Sequence, residues 1–155
     1  MIIDSALVCG YTCQDHLLID LDRCTLRRAE IIAKIIMNEF SIVGWCLIVE
    51  SSKRHYHLVF DNWITWYDIV YIIQMLADVG LVQKEYAQVR TFRRDLTLRI
   101  SPKKGVDRFR ETPTPIKLLS YPERKKPHYG IPKYLNALET FKNLDRFYAD
   151  NDLKI

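Results

Sequence analysis

No apolar run in this chain reaches the length of a membrane span. Its start, Met1-Ile2-Ile3-Asp4-Ser5, lacks the basic residues and long apolar stretch of a secretory signal. No CxxC pair occurs, and no cysteine follows Cys46. Cys9, Cys13, Cys24 and Cys46 therefore read as reduced thiols of an intracellular protein, not as a disulfide frame; zinc on Cys9 and Cys13 is the other use open to them. A phosphate-cradling Walker loop is missing, so an ATPase half is not expected, and no serine or cysteine triad is readable. Neither an internal repeat nor a linker divides the 155 residues. That length suits one domain with one good core, residues 1–155, in which 127–155 read as a C-terminal helical extension.

What is present is the composition of an ordinary globular protein, 48% hydrophobic and 27% charged. The most informative stretch runs from Trp45 to Phe60, two apolar and aromatic flanks broken by Ser51-Ser52-Lys53-Arg54, which reads as a β-hairpin. Side chains alternate along a strand, so His55 and His57 share one face and Tyr56, Leu58 and Phe60 the other. With the loop at Ser51–Arg54, Glu50 stands opposite His55, and opposed residues share a face. Glu50, His55 and His57 then converge, and two imidazoles with a carboxylate suit a divalent metal.

Around the hairpin, Ile3–Thr12 reads as a first strand and Gln14–Arg28 as loop and helix approach, with an acidic cluster at Asp15, Asp20 and Asp22. Ala29–Phe40 carries Ile32, Ile35, Ile36 and Phe40 on one helical face. Thr65–Val79 is a second helix, with Thr65 and Asp68 placed for an N-cap and Gly80 for the C-terminal cap. Both helices are expected on the sheet face of Tyr56, Leu58, Phe60, Leu47 and Val49, leaving the histidine face open. Ala87–Phe92 and Leu96–Ile100 read as strands, and Ser101–Pro115 as a surface loop. Ile116–Tyr121 reads as a short helix with Thr114 as N-cap, and Lys133–Tyr148 as the last helix. The fold class is α+β, a central antiparallel sheet of roughly five strands with helices packed on one face.

The net charge of +4 is unevenly spread. Between Lys84 and Lys126 basic residues outnumber acidic ones, which points to a polyanionic partner, with nucleic acid as the usual one. Arg90, Arg93, Arg94, Arg99, Lys103, Lys104 and Arg124 are the candidate DNA contacts.

His55-Tyr56-His57-Leu58, preceded by a strand ending in an acidic residue, resembles the histidine-hydrophobic-histidine motif of the HUH endonucleases. These are rolling-circle replication initiators of small viruses and plasmids, with relaxases and single-tyrosine transposases as relatives. The resemblance implies a ferredoxin-like or RNA-recognition-like sheet, and Mg²⁺ or Mn²⁺ held by His55 and His57 with Glu50 as third ligand. It also implies a tyrosine nucleophile that forms a 5′-phosphotyrosine while the metal polarises the phosphate. In that family the tyrosine lies on a helix after the histidine motif, a lysine one turn beyond it. Ser120-Tyr121-Pro122-Glu123-Arg124-Lys125-Lys126 resembles that motif, so Tyr121 and Lys125 are the implied catalytic pair, with Tyr134 and Tyr129 as alternatives. The implied function is nicking and joining of single-stranded DNA at a replication origin, in host cytoplasm or a eukaryotic nucleus. The alternatives are a transposase, whose tyrosine helix crosses to the partner of a homodimer, and a non-catalytic single-strand-binding module using Tyr56, Trp63 and Trp66 for stacking.

Overall fold

The computed structural model describes residues 9–102, 112–121 and 125–150. Among these residues the chain builds a four-stranded antiparallel sheet in the order β2-β4-β3-β6, a two-stranded sheet β1-β5, and four helices. The strands are β1 (Gly10–Cys13), β2 (Leu18–Leu21), β3 (Gly44–Ser52), β4 (His55–Phe60), β5 (Leu96–Arg99) and β6 (Thr114–Tyr121). The helices are α1 (Leu26–Glu39), α2 (Trp66–Asp78), α3 (Lys84–Arg93) and α4 (Gly130–Asp150). The α+β class is as expected; the single sheet of about five strands is replaced by four strands plus two. No helix among the described residues is long and apolar enough to cross a membrane.

The hairpin forms where the alternation places it, and β4 lies inside the sheet between β2 and β3. Opposed residues define its two faces. One carries Ile19 and Leu21 of β2, Tyr56 and Leu58 of β4, and Cys46 and Ile48 of β3. The other carries Leu18 and Asp20, His57 and Val59, and Leu47 and Val49. Leu47 and Val49 thus lie beneath the histidine face, not with Tyr56 as the alternation across a four-residue loop implies.

Helices cover both faces, not one. Thr25 caps α1, accepting a hydrogen bond from the Arg28 N–H, and Ala29, Ile32, Ala33, Ile36 and Met37 form its buried stripe. The Glu30 carboxylate meets Lys117 Nζ at 2.8 Å, and Lys117 stands opposite Ile48, which sets α1 on the Tyr56 face. In α2, Thr65 caps at the Asp68 N–H, and Ile69, Ile72, Ile73 and Leu76 are buried. Gly80 ends that helix with φ +78°, a conformation that favours glycine. On the histidine face Ile131, Pro132 and Leu135 of α4 share a cavity of about 590 Å³ with Trp45, Leu47 and Leu118. α4 also touches β4 and β1.

Two further elements differ from the sequence reading. Ala87–Phe92 is helical, part of α3, where only Ala87 is buried. Ile116–Tyr121 belongs to strand β6, not to a helix. β6 is an edge strand, so Pro115 near its start costs no interior ladder bond, and Thr114-Pro115 opens a strand as readily as a helix.

The start of α4 is fixed by Asp61, which is only 2% exposed. Its carboxylate accepts the backbone N–H groups of His128, Tyr129 and Ile131, each at 3.0 Å. Its carbonyl accepts the Gly130 N–H at 3.0 Å. Gly130 itself lies so close to the His16 ring and the Phe60 carbonyl that no side chain fits there.

Candidate functional site

The β3–β4 connection decides which acidic residue can serve His55 and His57. A register shift between Glu50 and Ser52 pairs Glu50 with Tyr56 and Ser52 with His55. One extra residue in a ladder turns the following side chains to the opposite face. Glu50 therefore lies on the Tyr56 face, where its carboxylate receives the Tyr56 hydroxyl at 3.5 Å. The expected convergence of Glu50 with His55 and His57 does not occur.

The histidines instead meet carboxylates from β2 and the residue just beyond it. Asp20 stands opposite His57, with its Oδ1 3.6 Å from Nε2. Asp22 Oδ1 lies 2.8 Å from His55 Nδ1. The result is a ladder of two imidazole–carboxylate rungs along β4 and β2. Asp20 and Asp22 are 40% and 48% exposed at their side chains, while His57 is nearly buried. The face is therefore half covered, not open, and His57→Ala would leave a cavity besides removing an imidazole. Asp20 and Asp22 were visible in the sequence as part of an acidic cluster. What hid their role was β2 itself, four residues too short to announce a strand.

Both carboxylates border a cavity of about 550 Å³. Its rim carries Arg23, Arg28 and Arg54, none of them among the expected DNA contacts. Arg23 and Arg54 sit in left-handed backbone, and the Cys24 N–H donates to the Arg54 carbonyl at 2.9 Å, tying the two turns together.

Two imidazoles and two carboxylates are donors of the kind that take Mg²⁺ or Mn²⁺. The donor types suit such a metal, but the four side chains stand as two separate pairs, His55 with Asp22 and His57 with Asp20. Among the described residues, however, the group whose donor atoms all lie within 4.8 Å of one another is Cys13, Asp15 and His16. This group, in the turn between β1 and β2, could hold a metal ion. A thiolate-containing set suits zinc better than Mg²⁺ or Mn²⁺.

That second cluster is closed by its own bonds. The Phe60 carbonyl can only accept, so His16 Nδ1, 2.9 Å away, carries the proton. Nε2 then accepts from the Tyr11 hydroxyl at 2.7 Å. Burial holds the His16 pKa below its ordinary 6.5, and burial pushes the Cys13 thiol up to about 11. The Asp15 carboxylate receives the Tyr129 hydroxyl and lies 3.6 Å from Lys133 Nζ, which itself stands 3.8 Å over the Tyr129 ring. Because His16 stays neutral when folded but protonates below 6.5 when unfolded, the unfolded chain binds the extra proton. Stability should therefore decline as pH falls below 6.5 and be fully present above it. Urea unfolding midpoints on either side of that pH check this, and the decline should shrink in His16→Gln.

The tyrosines are placed differently from the implied motif. Tyr121 pairs with Gly44 at the end of edge strand β6, while His57 pairs with Val49. Five residues along β3 and two strand spacings put their backbones roughly 20 Å apart. Lys125 is exposed, and its carbonyl accepts the Trp45 indole N–H. Tyr134 lies on α4, wholly buried, its ring edge-on to Tyr11 with centroids 5.7 Å apart. Its hydroxyl has no hydrogen-bond partner. Burial raises its pKa, and the Arg99 guanidinium offsets part of that.

Among the expected DNA contacts, Arg90 is engaged with Asp95 at 3.1 Å, and Arg99 donates to the Ser51 carbonyl at 2.7 Å. Arg93 and Arg94 are exposed at the end of α3. Lys103, Lys104 and Arg124 lie outside the described residues. Of the expected stacking residues, Tyr56 is buried, Trp63 is 60% exposed, and Trp66 is half-buried. Comparison with known proteins gives no match to a family model, a curated protein or a solved structure.

Proposed function

We propose that this protein is a metal-dependent nuclease of the HUH type, nicking and joining single-stranded DNA through a tyrosine on α4. The observation that supports this most is the imidazole–carboxylate ladder. His55 and His57 lie on an interior strand, each against an aspartate, beside an arginine-rimmed cavity. In this reading Asp20, Asp22, His55 and His57 hold Mg²⁺ or Mn²⁺, and Asp20 and Asp22 replace Glu50 as the acidic partners. A divalent metal held there would supply polarisation of the scissile phosphate and stabilisation of its charge. The chain's own groups hold the strand and supply the nucleophile.

Tyr134 takes the nucleophile's place from Tyr121. It sits on the helix that lies over the histidine face, and its buried hydroxyl has no partner, a state usually tolerated for a reason. Burial holds its hydroxyl protonated, and the Arg99 guanidinium offsets part of that effect. Since Tyr134 is wholly buried, a strand reaches it only when α4 lifts from the sheet.

The ladder is tested by Mn²⁺-dependent nicking of a labelled single strand. Asp20→Asn and Asp22→Asn should each lower the rate roughly tenfold or more, as loss of a ligand or of its orienting partner does. Glu50→Gln should leave it unchanged. The reverse pattern would return the site to the other sheet face. Strand binding without nicking would leave a binding module, in which Trp63 offers the exposed stacking surface.

A further inference from the structure

The cavity beside the ladder has chemistry of its own. Its volume of about 550 Å³ is large enough for one nucleotide. Arg23, Arg28 and Arg54 line it together with Asp20 and Asp22. The carboxylates are already engaged, Asp20 with His57 and Asp22 with His55. The guanidiniums are not: among the described residues none of the three forms an ion pair. Three arginines against two carboxylates leave the concavity with a net positive lining, which favours an added anion. Two of them are also held in left-handed backbone, with φ of 51° at Arg23 and 64° at Arg54. Ordinary residues adopt that conformation at a cost, and such strain clusters at binding sites.

From this geometry we infer that the cavity between β2, the start of α1 and the β3–β4 turn is a phosphate subsite, gripping one phosphate of a nucleic-acid strand through Arg23, Arg28 and Arg54. The guanidinium fork matches phosphate oxygens in a way that lysine does not. The inference rests on the nucleic-acid part of the proposed function but not on cleavage. The subsite positions a strand so that the linkage next to the held phosphate passes the aspartates of the ladder.

The experiment is strand binding in the presence of a chelator, where no metal-dependent cleavage can intervene. A fluorescent oligodeoxythymidylate is titrated with the full chain at a series of salt concentrations, followed by anisotropy. Arg23→Gln, Arg28→Gln and Arg54→Gln, all at exposed positions, should each weaken binding roughly tenfold at low salt. If all three grip one phosphate, together they should lower the slope of log K against log salt by about 0.7, the value for one neutralised phosphate on a single strand. Arg27→Gln removes the same charge from the neighbouring α1 position, which does not line the cavity, and should leave affinity near that of the unaltered chain. Competition separates the sources of the phosphate. Displacement by thymidine monophosphate but not thymidine assigns the subsite to a terminal phosphate. Displacement only by unlabelled oligonucleotide assigns it to an internal phosphodiester. The inference is overturned if the three variants keep the slope and affinity of the unaltered chain, or if Arg27→Gln weakens binding as much as they do. Nicking is measured separately, so a chain that nicks while the three variants keep the unaltered slope and affinity sinks the subsite alone. A chain that never nicks yet shows the altered slope sinks the nuclease alone.

Discussion

Asp61→Ala is expected to destabilise the protein by about 3 kcal/mol, the upper end of the ordinary range for single substitutions. One buried carboxylate accepts three backbone N–H groups at the entry to α4, and its loss leaves all three without that partner in a site only 2% exposed. Hydrogen bonds to a charged acceptor contribute more than neutral ones, and water reaching the opened site would recover only part of them. Asp61→Asn keeps an acceptor oxygen and should cost about 1 kcal/mol. Urea unfolding with tryptophan fluorescence measures both. The loss should also loosen α4 selectively, so amide exchange in residues 130–138 should quicken in Asp61→Ala before exchange in β3 and β4 does. Equal acceleration everywhere would mean that α4 is not separately anchored.

Tyr134→Phe is expected to remove covalent attachment to DNA without destabilising the fold. The hydroxyl has no hydrogen-bond partner and is fully buried, so deleting it removes a desolvation cost and no hydrogen bond. The ring and its edge-on packing against Tyr11 are kept. Stability should be unchanged or slightly higher, which separates loss of chemistry from loss of structure. The corresponding change at Tyr121 should leave attachment in place, because its backbone stands two strands from β4 and roughly 20 Å from that of His57.

The helices α1 and α2 and the hairpin were legible because each shows one clean period over a long enough run. Thr65, Asp68 and Gly80 marked the ends of α2 by local chemistry alone. The faces were harder. Placing Glu50 with the histidines required knowing that Ser51 is an extra residue in the ladder, and nothing in Glu-Ser-Ser-Lys-Arg-His distinguishes a four-residue loop from a bulge before a tight turn. A single slip of register moved Glu50 away from His57 and brought Leu47 and Val49 to the histidine side. The short Ala87–Phe92 run fits both helical and strand alternation, and its packing against α2 decides it. Asp20 and Asp22 could be read as acidic but not as opposite His57 and His55, because strand partnership between residues more than thirty positions apart is tertiary information.

The most direct test of the central claim is incubation of the chain with 5′- or 3′-labelled single-stranded oligonucleotides and Mn²⁺, followed by a denaturing gel. The expected result is label migrating with the protein from the strand labelled 3′ of the nick, abolished by chelator and by Tyr134→Phe, and retained in Tyr121→Phe. Binding of the strand with no protein-linked label under any metal condition would contradict the account. An adduct lost in Tyr121→Phe and kept in Tyr134→Phe would contradict the placement of the nucleophile on α4.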